Sequence, residues 1–464
     1  MNTQKLVHDK HFYKIFIGLM LSLALQNLLT YSVNLADNLM IGAYSQNALS
    51  GISLCNQIQF LLQMMVVGVG EGVVVLGSQY WGKRQLEPIP HIIGSALRFG
   101  VGMAAMLFVA ALLFPAQILG LLSNDADVIA EGVAYLRIIC FTYIIFALTN
   151  MLTASLRSIG IVKIGYIVTA STLCINIVLN SLLIYGRFGF PELGARGAAI
   201  ATLVSRTVEL LIVIYYLKYH EHQLNLNVRK LVFIDTSYIR DYTKISLPVL
   251  VTQAIWGIAQ MIQTGILGNM DGSADVVAAN SIAVLVFQII SVVGYGAASA
   301  AAIMTGKRVG EGDIERVKQS SRTFQLIFVG LGLITGTLIF AASKPVLLLY
   351  PKLTPGAAEL TTRFTTVLAV TSIGTCYQMA ADNGMIRAGG DTKFPMWNNM
   401  IFMFGIDLPL AALSAFVWKL SPVVVFFWLK ADQLLKCPII CWRVNSYKWI
   451  KKVTRDTTAA SKTA

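Results

Sequence analysis

The chain has 464 residues, of which 56% are apolar and only 13% charged, and its mean hydropathy is +0.67. A soluble domain carries about 25% charged residues, so too little polar surface is left here to coat a water-soluble globule, and the composition is that of a polytopic membrane protein. The 36 basic and 23 acidic residues give a net charge of +13. No basic cluster is interleaved with exposed aromatics, and most Lys and Arg stand in short loops between apolar runs, which argues against nucleic-acid binding.

Runs of about 18 or more mostly apolar residues mark transmembrane helices. They predict an all-α chain of twelve spans, near 13–42, 49–78, 91–119, 128–156, 163–186, 195–217, 244–269, 275–304, 322–349, 357–386, 393–416 and 420–442. With the N-terminus set inside, that side collects most of the basic loop residues, Lys5, Arg229, Lys230 and the tail's Lys462 among them. The other side has only Arg187, Arg196, Lys344, Lys352 and Lys419. This asymmetry predicts a multi-pass protein of the cell membrane with both termini in the cytoplasm. The opening MNTQKLVHDKHFYKIF leads into a span without a small-residue cleavage site, so no removable signal peptide is expected.

In the first span, Asn27, Thr30, Asn34 and Asp37 are spaced 3, 4 and 3 apart and fall on one helical face. Asn56, Gln59 and Gln63 make a similar stripe on the second. Lipid cannot hydrogen-bond such groups, so they face a cavity or another helix; a single Asn or Gln serves either purpose. A carboxylate within a span is a functional candidate by default, which singles out Asp37. At about 1.5 Å rise per residue, Asn176 and Asn180 on span 5 and Thr202 on span 6 reach the same outer half of the membrane. One carboxylate with amide and hydroxyl oxygens can hold a small hard cation, or the carboxylate can take a proton. Arg206 and Glu209, three apart on span 6, read as a structural pair with coupling as the alternative.

The polar stretch at 219–243 reads as a cytoplasmic linker between an N-terminal lobe, 1–218, and a C-terminal lobe with its tail, 244–464. Landmarks repeat across it. Gly42 and Gly268 are 226 residues apart, Gly82 and Gly310 are 228 apart, and Arg157…Lys163 precedes Arg387…Lys393 by 230. A duplication of six spans gives halves of one orientation, related by a pseudo-two-fold axis along the membrane normal, with a central cleft suited to alternating access. Carrying the first stripe across by 226 residues lands on Gln253, Trp256, Gln260 and Gln263 of span 7. The paired stripes predict a wet cavity, with Met64, Met65 and Met261 as an adaptable wall. In the second lobe, Asp407 on span 11 and Lys430 with Asp432 on span 12 reach similar depths and are expected to pair with one another. Glu71 and Asp382 sit near cytoplasmic span ends, where water explains them, and Arg137 and Arg363 have no evident role.

No GxxxxGK[ST] is present, since TGKRVGEGD at 305–313 lacks its spacing, so ATP is not an evident energy source. The five histidines flank the inner face, and the six cysteines lie in apolar segments without metal-ligand spacing. Neither a catalytic constellation nor a resident metal or other cofactor is expected.

Several stretches resemble the multidrug and toxic compound extrusion (MATE) transporters. They are LQNLLTYSVNLADNLMIG at 25–42, GSQYWGKR at 77–84, NIVLNSLLIYGRFGFPELGARGAAIAT at 176–202, RAGGDTKF at 387–394 and SYKWIKKVTRD at 446–456. The resemblance implies a monomeric antiporter of small organic, often cationic, compounds in the bilayer, driven by a gradient of H⁺ or Na⁺. Its first-lobe ion site maps onto Asp37, Asn176, Asn180, Ala198 and Thr202. The chain departs from well-known members at Asn180, where they carry Asp, and at Gln253, where many carry Glu. That second change moves any second-lobe acidic site elsewhere, with Asp407 the candidate. The broader superfamily also contains lipid-linked oligosaccharide flippases, so a flippase or exporter of a lipid-linked or endogenous metabolite is the alternative.

Overall fold

The computed structural model describes residues 6–121, 125–224, 226, 231, 235–350 and 353–455, and no strand occurs among them. Lys5, Arg229, Lys230, Lys352 and Lys462 of the charge tally, much of the 219–243 linker and the last residue of the 446–456 stretch lie outside the described residues.

The helices are α1 (Lys10–Tyr44), α2 (Gln46–Gly82), α3 (Pro88–Leu113), α4 (Ala126–Ile139), α5 (Phe141–Ser158), α6 (Lys163–Leu183), α7 (Gly194–Tyr219) and α8 (Thr236–Gly268). They continue with α9 (Ser273–Ile290), α10 (Val292–Glu311), α11 (Ile314–Ala342) and α12 (Pro355–Ala381). After these come α13 (Lys393–Val417) and the short α14 (Pro422–Trp428), α15 (Asp432–Leu435) and α16 (Cys437–Asn445). Six of the starts are written in the sequence as small polar caps. Asp9 Oδ1 accepts from His11 N at 2.8 Å and Ser45 Oγ from Ala48 N at 3.3 Å. Asp125, Asp235, Asp313 and Thr354 do the same for α4, α8, α11 and α12. Each satisfies an amide that the first helical turn leaves unbonded.

Among the described residues, nine helices are long and apolar enough to cross a membrane, and α4 with α5, bent by 47° at Cys140, makes a tenth. Helix covers all twelve expected spans, with three differences. The span expected at 275–304 is broken at Ser291 into α9 and α10. The one at 357–386 falls on α12, which is rich in threonine; Thr361 and Thr366 turn their hydroxyls onto their own helix, to Ala357 O at 2.7 Å and Thr362 O at 2.8 Å. The one at 420–442 is the broken series α14 to α16, because Lys430, Asp432 and Lys436 need partners that a straight apolar rod does not supply.

By packing, the chain divides into two compact units: Met1–Ala24 with Ser78–Arg84 and Val251–Ala464, and Leu25–Gly77 with Gln85–Leu250. Three of the four boundaries fall inside α1, α2 and α8, and the fourth follows Arg84 in the connection after α2. In α8 the division follows Pro248, which has no N–H for the helical ladder.

The first of these units has a core of Ile255, Val286, Phe364, Leu368 and Phe426, with Phe364 and Phe426 stacked at 4.2 Å. In the same unit the first turns of α1 pack on α11, with Phe12 and Phe16 each 5.3 Å from the Phe324 ring. The repeated glycines Gly82 and Gly310 acquire a reason here. A Cβ at Gly82 would overlap the carbonyl of Lys307, and one at Gly310 that of Gln79, so two helix backbones meet where no side chain fits. The RAGGDTKF motif and the tail prove to be one device. Asp391 is buried and accepts from Arg443 and, at 2.8 Å, from Lys451. Lys451 N donates to Gly389 O at 2.7 Å, Trp449 is buried against Gly389, and Gly390 turns with φ 97°. The tail then reaches the end of α2, where Val453 N donates to Gln79 Oε1 at 3.1 Å.

The other unit packs α3 on α5 and α6 on α7, with Val73, Leu76, Ile93, Met151 and Leu156 buried. Gly51 lies so close to α4 that a Cβ would stand 2.7 Å from Gly132 N. Close approach through small residues is the ordinary way for helices to pack where lipid offers no hydrophobic drive.

Candidate functional site

The site begins with the α6–α7 hairpin. Gly186 turns the chain with φ 64°, and Leu193 N donates to Leu183 O at 2.9 Å. Gly197, where a Cβ would come within 2.5 Å of Leu183 O, lets α7 lie directly against the end of α6. Ala198 and Ala201 continue that small, buried face. The close fit brings Thr202 to Asn176, whose Nδ2 donates to Thr202 Oγ1 at 3.3 Å. One turn on, Asn180 Nδ2 donates to Asn176 Oδ1 at 3.1 Å and to Asp37 Oδ1 at 2.5 Å.

Two contacts hold α1 along this hairpin. Tyr185 Oη donates to Met40 O at 2.7 Å, and Gln26 fills the space over Gly165. Asp37, Asn176, Asn180 and Thr202, predicted at one depth, therefore form one hydrogen-bonded chain. Ala198 is buried beside them and brings no side-chain polar atom. Asn176 and Asn180 are essentially inaccessible, and Asn180 Oδ1 meets no donor among the described residues. Arg206 is near enough to act on Asp37 through its charge. It pairs with Glu209 at 2.8 Å and lies over the Phe146 ring at 5.2 Å, as expected of a structural pair.

The stripes fare differently. In the same unit Asn27, Thr30, Asn56, Gln59 and Gln63 are half-buried and Asn34 is exposed. Thr30 is turned to its own helix, its Oγ1 donating to Gln26 O at 2.9 Å. In the other unit Gln253 and Gln260 are half-buried and Trp256 is exposed. Gln263 departs from the expected cavity stripe: it is buried, and its Oε1 accepts from Lys430 Nζ at 2.9 Å.

The expected pairing of Asp407 with the charges of the last span is not the one the hydrogen bonds make: Lys430 is held by Gln263, and Asp407 meets no donor among the described residues. Asp432 Oδ2 instead accepts from Lys436 Nζ at 2.7 Å, and Lys436 further donates to Asn399 Oδ1 at 2.8 Å. Lys436 was missed, although its spacing of four from Asp432 was the available signal. Asp382 is not at a wet span end: it is 4% exposed, and its Oδ1 has no partner among the described residues. Glu71 faces Arg157 at 3.5 Å. Arg363 pairs with Glu359 at 2.5 Å, and Arg137 stands in the last turn of α4, where a cation suits the helix dipole.

The MatE family model matches residues 22–182 and 248–413, a stretch in each half of the chain. An uncharacterized transporter of Bacillus subtilis, YisQ, is 26% identical over 424 residues, which cover 90% of this chain and 90% of that protein. A probable multidrug resistance protein, NorM of Thermotoga maritima, is 26% identical over 450 residues, covering 93% and 92%. Among solved structures, an outward-facing multidrug resistance MATE family transporter aligns with a TM-score of 0.85 at 18% identity, covering 94% of this chain and 96% of that one. A MOP superfamily transporter from Pyrococcus furiosus aligns with a TM-score of 0.85 at 17% identity, covering 96% and 97%. At those identities the structures speak for the fold, while the family model, matched over more than half of the residues, speaks for the family. The chain belongs to the MatE family, whose members are membrane transporters and not enzymes.

Proposed function

We propose that this protein is a proton-driven antiporter of the cell membrane. It exports small organic, often cationic, compounds by alternating access, with both termini in the cytoplasm, as a monomer without a resident cofactor. Two six-helix lobes, 1–218 and 244–464 with the linker 219–243, carry the cycle. The relatives named for multidrug resistance support the substrate class. The carrying observation is the chain Asp37–Asn180–Asn176–Thr202. Its one acid accepts from the Asn180 amide, which Asn176 and Thr202 order from behind, and such dipoles stabilise a charge without neutralising it.

The orientation of Asn180 favours H⁺ over Na⁺. Its nitrogen, not its oxygen, faces the carboxylate, and both N–H bonds are used, one on Asp37 and one on Asn176. A sodium ion asks for several converging oxygens, whereas a proton needs only the carboxylate. Protonation of Asp37 turns a charged acceptor for Asn180 Nδ2 into a weaker neutral one, loosening the hold of Asn180 on α1, and that local change is the coupling event. Asn27, Thr30, Asn34, Gln59 and Gln63, with Gln253, Trp256 and Gln260 of the other unit, are the substrate-facing groups. Coupling further requires that proton and substrate bind the two conformations differently.

The test is efflux of a cationic dye from liposomes under an imposed pH or sodium gradient, with wild type beside Asp37→Asn. Efflux driven by pH and lost in the variant is the expected result. Sodium-driven efflux would overturn the choice of ion, and full pH-driven export by Asp37→Asn would overturn the role of Asp37. Folded wild type that moves no dye under either gradient would favour a flippase or a narrow metabolite exporter.

A further inference from the structure

In the unit containing Val251–Ala464, the end where α2, α10 and the tail meet carries cations that neither the fold nor the antiport reading uses. Arg84 ends α2 with φ 59°, its N–H bonded to Trp81 O at 3.0 Å. Adding the 228 residues that separate Gly82 from Gly310 carries Arg84 to Gly312. The same turn is there, with φ 81° and Gly312 N donating to Val309 O at 3.2 Å. Glycine takes that conformation freely, whereas the Cβ of an arginine crowds its own backbone. One repeat carries the residue that the turn favours and the other keeps a strained cation. Strain retained in a folded chain points to use.

Two more cations stand at the same place. A Cβ on Gly82 would overlap the Lys307 carbonyl and lie 3.1 Å from Glu311 N, so Lys307 and Gly312 sit beside the end of α2. Lys452 Nζ lies 3.6 Å from where a Cβ of Gly312 would stand. The tail is fixed there: Lys83 Nζ donates to Arg455 O at 2.8 Å, and Arg455 N donates to Tyr80 Oη at 3.1 Å. Arg84, Lys307 and Lys452 are exposed, and none of their side chains makes a hydrogen bond or ion pair among the described residues. The acids of this region are committed elsewhere. Asp313 pairs with Arg316 at 3.1 Å, Glu315 with Lys318 at 2.8 Å, and Asp391 with Arg443 and Lys451. Glu311 is exposed and acts through its charge on Arg308. The patch is therefore positive and held on rigid backbone. Trp81, three residues before Arg84, is half-buried, and tryptophan favours the headgroup level of a bilayer. An anion at that depth is a lipid phosphate.

We propose that Arg84, Lys307 and Lys452 form a binding site for the phosphate headgroup of an acidic phospholipid in the leaflet that the tail faces. The phosphate supplies the acceptors that these three cations lack, through charge-assisted bonds, and the guanidinium fork of Arg84 suits two of its oxygens. The site rests on the membrane reading of the chain and not on antiport or on the coupling ion.

Native mass spectrometry of the purified full-length protein in detergent, titrated with phosphatidylglycerol or phosphatidylcholine, tests the site. Wild type is expected to bind phosphatidylglycerol more tightly than phosphatidylcholine. Arg84→Gly, Lys307→Gln and Lys452→Gln are each expected to weaken phosphatidylglycerol by about fivefold, the worth of one cation near an anionic surface. Their affinity for phosphatidylcholine is expected to stay as it is. Lys344→Gln, which removes an exposed cation of the opposite side, is expected to change neither. Because Arg84→Gly also removes the strain, its lipid-free thermal midpoint is expected to match or exceed that of wild type, which separates lost binding from lost folding. A lower midpoint overturns the strain argument. Equal affinity of wild type for the two lipids, or wild-type affinity in the three variants, overturns the site. Soluble glycerol phosphate that displaces phosphatidylglycerol at equal concentration overturns the lipid as its occupant.

Discussion

Replacing Asn180 by Asp exchanges the amide that faces Asp37 for a second carboxylate. The present contact is 2.5 Å from Asn180 Nδ2 to Asp37 Oδ1, so the substituted pair would have charge centres about 4 Å apart. At an effective dielectric of about 20, two unit charges at that distance repel by about 4 kcal/mol, which is roughly three powers of ten in an equilibrium constant. Asp37 is half-buried, and solvent there reduces this to about tenfold or more. A proton or a sodium ion relieves the repulsion, and alkaline buffer removes the first option. Thermal unfolding at alkaline pH, with sodium exchanged for choline at constant ionic strength, measures the outcome. Sodium is expected to stabilise Asn180→Asp over wild type by about 1–3 kcal/mol, as mass action gives for a ligand well above its Kd. Equal stabilisation of the two proteins would refute the reasoning: the Asn180 amide would not decide the ion, and the case for H⁺ made from its orientation would fall with it.

Gly310→Leu drives a side chain into the Gln79 carbonyl; overpacking of about 1–3 kcal/mol or more is expected, seen as a lost or lowered thermal midpoint in gel-filtration stability assays, and an unchanged midpoint would contradict the close crossing. Asp391→Ala strands Arg443 and Lys451 and is expected to remove about 2 kcal/mol of charge-assisted bonding, read as faster hydrogen exchange at residues 446–453, with unaltered protection counting against the tail device. At the start of α8, the Ser237 hydroxyl holds the Asp235 carboxyl below its ordinary value, helped by the Ser237 and Tyr238 amides. A depressed acid stabilises above its unfolded value and loses that contribution as pH falls through the folded one. Asp235→Ala is therefore expected to cost about 1 kcal/mol at neutral pH, and its thermal midpoint should converge on that of wild type below about pH 4.

The membrane class, the spans and the candidate acid were legible because each rests on a short-range rule. Apolar length marks spans, a stripe spaced 3, 4 and 3 marks a face, and a lone carboxylate in lipid demands an explanation. The contact of Asp37 with Asn180 joins residues 143 apart in sequence, and no spacing rule reaches that far; common depth and family resemblance were the pointers. Hydropathy also hid the breaks in the last span, since a window average is blind to where individual charges point. Common depth grouped Asp407, Lys430 and Asp432, yet Lys430 and Asp432 are about 200° of helix apart and take different partners, while Asp432 and Lys436 share a face. Gln263 was expected on a cavity-facing stripe. Its stripe fixed a face, but the ammonium group of Lys430, arriving from a distant segment, decided what that face meets.

The two units meet the charge of their acids by different physics. Around Asp37 the donors are neutral: Asn180 gives one N–H, and Asn176 and Thr202 order it from behind. Dipoles of this kind lower the energy of a charge in proportion to how well they are aimed, so a small displacement of α1 or α6 changes it, and protonation can in turn shift the helices. Around Asp432 the compensation is a full charge at 2.7 Å, which no small displacement cancels. Removing either partner strands the other, which makes that pair a fixed element of the packing. Asp407 lies between these cases, buried like Asp432 but without a donor of its own. A conformational cycle needs an acid whose preferred state differs between conformations. In the proposed cycle Asp37 meets that condition through its dipoles, whereas the full charge of Lys436 favours one state of Asp432 throughout.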